Sequence, residues 1–93
     1  MLYTITTQKD DGANFTYQIE GPDERETLRL WAELNVPNAG AVRVQLVGQE
    51  VRDLPVPAHG VLTVTPMEGL RNVWYFYGAL DNEMIDGLIV ATA

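Results

Sequence analysis

The chain has 93 residues and a net charge of −7, with 13 acidic side chains, 6 basic side chains and one histidine. This length predicts one domain, residues 1–93, with a core that needs neither metal nor disulfide. The sequence contains no serine and no cysteine, which excludes serine and cysteine nucleophiles. The acidity counts against binding of a nucleic-acid backbone, and no apolar run approaches the roughly 20 residues of a membrane-spanning helix.

Short runs of alternating apolar and polar residues, separated by turn residues, predict a fold built from β-strands. The first run is Leu2–Gln8 and the second is Asn14–Glu20. The residues between them include Gly12, which can supply the positive φ of a turn. These two runs are therefore predicted to be consecutive strands.

Residues 24–36 match two periodicities. Asp23 is a suitable helix cap, so a helical turn at 23–26 is one interpretation. Further along, apolar side chains alternate strictly with polar ones, at Leu28, Leu30, Ala32, Leu34 and Val36. This alternation predicts a strand whose polar face carries Trp31 beside Arg29. Because tryptophan is costly to leave in water, Trp31 and Arg29 are candidate partner contacts, unless a loop covers the ring.

The remaining sequence contains five more runs, at 41–47, 50–56, 61–65, 70–80 and 84–92. In the last of them, Asp86 and Gly87 form a candidate β-bulge. With these runs, the sequence predicts an all-β fold, a single antiparallel β-sandwich of about seven to eight strands. Both a jelly-roll and an immunoglobulin-like arrangement fit, and the strand order stays open.

Residues 73–77 read Val-Trp-Tyr-Phe-Tyr and are the most informative part of the chain. Because successive side chains of a strand point to opposite faces, Trp74 and Phe76 face one way and Tyr75 and Tyr77 face the other. One pair belongs to the core, and the other is covered by a loop or meets a partner. All four are candidate contact residues, and the sequence leaves open which pair points outward.

Both ends of the chain are apolar. The last six residues carry no charge, and the first run begins with Leu2 and Tyr3. Unguarded apolar strands invite pairing at their edges. We therefore expect these end segments either to lie inside the sheet or to pair with a neighbouring chain, which makes Leu2 and Tyr3 candidate contact residues.

Three groups of polar residues could suggest a catalytic or metal site, and each has an ordinary structural explanation. His59 has no partner carboxylate close to it in sequence, and residues 10–14 lack the spacing of a calcium loop. The possible acid–base carboxylates, at Asp81, Glu83 and Asp86, carry no sign of the burial that raises a pKa. We therefore expect no catalytic residue, no metal and no cofactor, and hence a protein that is not an enzyme.

The stretch from Leu28 to Thr65 contains the rhythm Gly-Ala-Val-Arg-Val-Gln-Leu-Val-Gly at residues 40–48. It resembles the middle strands of jelly-roll carbohydrate-binding modules, and also the small β-sandwich decoration (cement) proteins of tailed-phage heads. The second resemblance implies a structural protein that binds copies of itself or the major capsid protein on a virion. The first residues show no signal peptide, which agrees with synthesis in a host cytoplasm.

Two alternatives remain beside the virion protein. One is a carbohydrate-binding module that uses the same aromatic side chains as a platform for sugars. The other is a small inhibitor or regulator of a host protein. All three interpretations require binding rather than catalysis, and none requires nucleic acid or a membrane.

Overall fold

The computed structural model describes residues 1–8, 14–35, 42–49, 60–80 and 83–92. Within these ranges the chain forms six strands and one helix. In chain order they are β1 (Leu2–Gln8), β2 (Asn14–Glu20), α1 (Glu24–Asn35), β3 (Val42–Leu46), β4 (Gly60–Pro66), β5 (Val73–Leu80) and β6 (Glu83–Ala91). The predicted runs at both ends and in the middle of the chain thus correspond to strands, and the run at 50–56 lies outside the described residues.

The strands form one six-stranded sheet in the order β2-β1-β6-β5-β4-β3. Neighbouring strands are antiparallel, except that β3 and β4 are parallel. The apolar strand β6 lies between β1 and β5, with Ile5 opposite Ile89. Of the two alternatives expected for the apolar end segments, the structure has the first: β1 and β6 lie inside the sheet and pair with each other.

The β-rich character of the prediction is confirmed, but the antiparallel sandwich is not what the structure has. The sheet is mixed, and the layer packed on it is the helix α1 rather than a second sheet. One layer of helix on one layer of sheet is enough to enclose a core, because each element has one apolar face to bury.

The strand predicted for residues 24–36 is wrong, because residues 24–35 form α1. Asp23 caps the helix: its carboxylate accepts a hydrogen bond from the Glu26 backbone N–H at 2.7 Å. The buried side chains of α1 follow the helical spacing, at Thr27, Leu28, Trp31 and Ala32. A short segment can match both periods, and here the cap and the good helix formers prevail.

The core lies between α1 and the sheet. The six larger apolar side chains that have no exposed surface form its centre, namely Ile5, Leu28, Leu62, Val64, Phe76 and Ile89. Trp31 packs on Phe76 with ring centroids 5.7 Å apart and ring planes tilted by 56°. Burial of each such side chain stabilises the fold by about 1.5–3 kcal/mol, so this contact fixes α1 on the sheet.

The bulge predicted at Asp86 and Gly87 is not formed, since the pairing of β6 with both neighbours is continuous. Gly87 has a different role. A Cβ atom there would lie 2.1 Å from the Thr6 carbonyl oxygen and 2.9 Å from the Phe76 ring. The glycine therefore leaves room for Phe76, the residue directly opposite it on β5.

Candidate functional site

The outer face of the sheet, defined as the side that points away from α1, is the candidate functional site. No helix or strand that the structure describes packs on it. Alternation along the strands places the odd-numbered residues of β5 and the even-numbered residues of β6 on this face, opposite in direction to Phe76 and Ile89. Among the described residues, one face of the sheet thus lies in the core, and the other carries exposed side chains such as Met84 and Tyr77, although Thr63 on that face is buried.

An apolar band runs along the middle of the outer face. We define it by the outward side chains of β5 and β6, namely Val73, Tyr75, Tyr77, Ala79, Met84, Leu88 and Val90. Met84 is 62% exposed, Tyr77 40% and Leu88 38%. The rings of Tyr75 and Tyr77 stack with centroids 5.6 Å apart and planes 30° apart. The band is therefore partly aromatic and lies at the centre of the face, with Tyr77, Met84 and Leu88 exposed and its other members half-buried.

One polar group interrupts the apolar band. The Tyr75 hydroxyl donates a hydrogen bond to the Asp86 carboxylate at 3.2 Å. Burial raises the pKa of the Tyr75 phenol above its ordinary value, and the hydrogen bond to Asp86 raises it further. At neutral pH the phenol is protonated, so Tyr75 is a donor and Asp86 keeps capacity to accept another hydrogen bond.

Threonine and glutamine side chains flank the apolar band. On one side, Gln18 Nε2 donates to Thr4 Oγ1 at 3.2 Å, and Thr4 Oγ1 lies 2.8 Å from Thr92 Oγ1. On the other side, Gln45 Nε2 donates to Thr63 Oγ1 at 3.2 Å. A polar rim beside an apolar centre is the usual composition of a protein–protein interface.

Charge is sparse on the outer face. The strand residues described on this face include three charged side chains, Glu20, Arg43 and Asp86. By contrast, α1 carries an ion-paired group in which Arg29 contacts both Glu26 and Glu33. The hydrogen bond from Arg29 lowers the pKa of the Glu26 carboxyl. Part of the acidity of the chain is therefore on the opposite side of the molecule.

The predicted contact residues are divided between the two sides of the sheet. Tyr75 and Tyr77 point outward, and Leu2, which is half-buried, lies on the same face. The outward position predicted for Trp31 is wrong, because its side chain is 7% exposed and faces the sheet. Four further candidates lie elsewhere: Tyr3, Trp74 and Phe76 on the core side, and Arg29 on α1. The structure does not bring Trp31 together with the outward aromatic pair.

The sequence analysis missed the two exposed β6 residues of the apolar band, Met84 and Leu88. The sequence did contain the relevant pattern, because Met84, Asp86, Leu88 and Val90 alternate with the inward side chains of β6. Only the strand register shows that these residues adjoin the aromatic pair, since it sets Leu88 directly opposite Tyr75.

The other polar candidates do not form a site. His59, Asp81 and residues 10–13 lie outside the described residues. Glu83 and Asp86 are three positions apart on β6 and so point to opposite faces of the sheet. Among the residues that the structure describes, no three histidine, aspartate or glutamate side chains cluster in a way that could hold a metal ion.

The described helix α1 is too short and too polar to cross a membrane. Comparison with known proteins found no relative of this chain. No protein-family model, no curated protein and no solved structure matches the chain.

Proposed function

We propose that this chain is a non-enzymatic interaction protein that binds other protein subunits through the outer face of its sheet. The observation that carries the proposal is the exposed apolar band, with Tyr77, Met84 and Leu88 at its surface. Tyrosine and methionine are enriched at interface cores, and contiguous apolar patches on a soluble protein mark contact sites. The polar rim and the sparse charge of the face support the same assignment.

The finer form of this proposal is a decoration protein on a virus particle, made in a host cytoplasm. Its support is the resemblance of residues 28–65 to phage-head cement proteins. Part of that segment is α1 rather than a strand, so the resemblance now depends on β3 and β4. The coarser proposal, binding of protein subunits, depends on the outer face alone.

A matched pair of lysine substitutions tests the coarser proposal. Met84 in the apolar band and Leu34 on α1 are almost equally exposed, at 62% and 60%. Tagged wild type, Met84→Lys and Leu34→Lys are expressed in the native host, and the proteins recovered with each are quantified by mass spectrometry. We expect Met84→Lys to reduce recovery of the wild-type partner at least about thirtyfold, because one interface hot spot contributes roughly 2 kcal/mol.

Leu34→Lys is the control and should recover the partner as well as the wild type does. Both variants should keep the wild-type unfolding temperature, because both side chains are mostly in water. Equal recovery with Met84→Lys and wild type would overturn the proposal. The identity of the partner separates the finer alternatives, since a capsid protein supports the virion and a host enzyme supports an inhibitor.

A carbohydrate-binding module is the second candidate, favoured by the exposed pair Tyr75 and Tyr77. Sugar rings stack on aromatic side chains, and Tyr77 is the more exposed of the two. In that case a glycan array gives specific binding that Tyr77→Ala abolishes and Leu34→Lys does not. Absence of binding to every glycan removes this candidate.

A further inference from the structure

We propose that the partner of the outer face is a second copy of this chain. The two outer faces pack on each other about a two-fold axis that runs parallel to the strands, between β5 and β6. This inference rests on the proposed function and deepens it, because it names the occupant of the same face.

The first argument is the symmetry of the face. β6 and β5 are the third and fourth strands of the six, so the apolar band lies on the midline of the sheet. The strands on either side of them are less apolar: β1 presents Leu2, Thr4 and Thr6 outward, and β4 presents Val61, Thr63 and Thr65, of which Thr63 is 8% exposed. Two apolar strands with a threonine-bearing strand on each side are approximately symmetric about the midline. A two-fold axis on the midline therefore sets β5 on β6 and β1 on β4 of the second copy, and Thr6 is then level with Thr65.

The second argument is the strand register. A two-fold axis parallel to the strands does not change the position of a residue along the strand direction. Each residue of β5 therefore lies over a β6 residue of the second copy, the same residue with which it pairs within its own sheet. Tyr75 is opposite Leu88 and Tyr77 is opposite Asp86. Across the axis, Tyr75 packs on Leu88 of the second copy. The Tyr77 hydroxyl faces Asp86 of the second copy, which can accept a further hydrogen bond.

The third argument is size. A stable interface buries about 800 Å² on each partner. The two larger dimensions of the molecule are 34 and 29 Å, so the outer face reaches this area only if most of it is used. A contact centred on the midline uses the most surface, whereas an off-centre contact leaves part of the apolar band in water.

The fourth argument is charge. Two copies that each carry −7 repel one another. Packing through the outer faces leaves the Glu26 and Glu33 carboxylates on the two outermost layers. Sheets pack roughly 10 Å apart and each helix adds a further layer, which separates these groups by about 30 Å, beyond the Debye length of about 8 Å at physiological salt. These carboxylates, which Arg29 also ion-pairs, therefore add little to the repulsion between the two copies.

Sedimentation equilibrium on the wild type and two lysine variants tests the dimer. We expect the wild type to have twice the mass of the 10.3 kDa chain at about 100 μM. Leu88→Lys places a lysine in the contact twice per dimer and should raise the dissociation constant about a hundredfold. Leu34→Lys, on α1, should leave the dimer intact. A wild type that is monomeric at this concentration overturns the inference.

Crosslinking tests the axis independently of any lysine variant. The chain has no cysteine, so introduced thiols are the only ones present. Thr6 and Thr65 lie level with each other on opposite sides of the midline, through their pairing with Leu88 and Tyr75. Mixed Thr6→Cys and Thr65→Cys chains, treated with a short bismaleimide, should give mainly crosslinks between positions 6 and 65. Predominant crosslinks between two positions 6 indicate an axis across the strands and overturn the proposed geometry.

The outcomes separate this inference from the proposed function. A monomeric wild type that still recovers a different protein, and loses it on Met84→Lys, overturns the dimer and leaves the proposed function standing. A monomer whose recovered proteins do not change on Met84→Lys overturns both.

Discussion

Trp31 shows how much one side chain contributes to the position of α1. Its ring fills the space between the helix and Phe76 and is 7% exposed. We expect Trp31→Ala to lower the free energy of unfolding by about 3–5 kcal/mol, because it leaves a cavity in the core. Chemical denaturation measures the loss, and Leu34→Ala on the exposed side of α1 should cost about 0.5 kcal/mol or less. Similar values for both variants would contradict the buried position of Trp31.

The hydrogen bond between Tyr75 and Asp86 has a measurable effect on titration. Because the folded-state pKa of Tyr75 is raised, this group stabilises the fold below the unfolded-state pKa of about 10, and the contribution is lost as pH rises through the folded-state value. We expect Asp86→Asn to lower the pKa of Tyr75 towards its ordinary value without reaching it, since burial is the larger cause. Ultraviolet absorbance of tyrosinate measures the shift, and Tyr75→Phe identifies the step. An unchanged titration of Asp86→Asn would show that the hydrogen bond is not formed.

At the scale of the element, the cap at Asp23 explains where α1 begins. The Asp23 carboxylate accepts from the Glu26 N–H, and the Asp23 carbonyl accepts from the Thr27 N–H at 3.0 Å. Asp23→Ala should lower the free energy of unfolding by about 1 kcal/mol, and Asp23→Asn should retain most of it, because asparagine caps nearly as well. Thermal unfolding by circular dichroism compares the two. Equal losses of stability in the two variants would indicate that the negative charge of Asp23, rather than its capping hydrogen bond, stabilises the helix.

The strands were predictable and the helix was not, for a physical reason. In β1, β2 and β6 the alternation is long enough, and bounded clearly enough, to exclude a helix. In α1 the apolar residues satisfy a period of two as well as the helical pattern of Leu28, Trp31 and Ala32. The alternation prediction placed Trp31 on the polar face of a strand, in water unless a loop covered it. The cost of that position, together with the Asp23 cap, favoured the helix.

The aromatic strand was predictable up to a choice between two faces. Alternation separates Trp74 and Phe76 from Tyr75 and Tyr77 wherever the strand lies. The choice depends on which side α1 covers, and this is a property of packing that no local pattern contains. Gly87 was the available clue, because a glycine in an apolar strand indicates a close neighbour, and that neighbour is Phe76.

At the scale of the whole molecule, α1, the one helix among the described residues, accounts for the candidate site. One helix can cover one face of a six-stranded sheet, which leaves the apolar band on the other face without a described element above it. In the proposed dimer, the second copy supplies the second sheet. The four layers would then be helix, sheet, sheet and helix, and the β-sandwich predicted from the sequence would exist between two chains rather than within one.

The pairing of β1 with β6 also has a consequence for how the chain folds. It joins the β2–β1 hairpin to the other four strands, and it brings together residues as far as 88 positions apart, such as Thr4 and Thr92. Contacts of such high sequence separation form slowly. At about 5–20 residues per second, a ribosome needs roughly 5–20 s to make the partner of β1 after β1 itself. During that time one edge of β1 is unpaired, so the nascent chain is most exposed to aggregation at the strand that later lies inside its sheet.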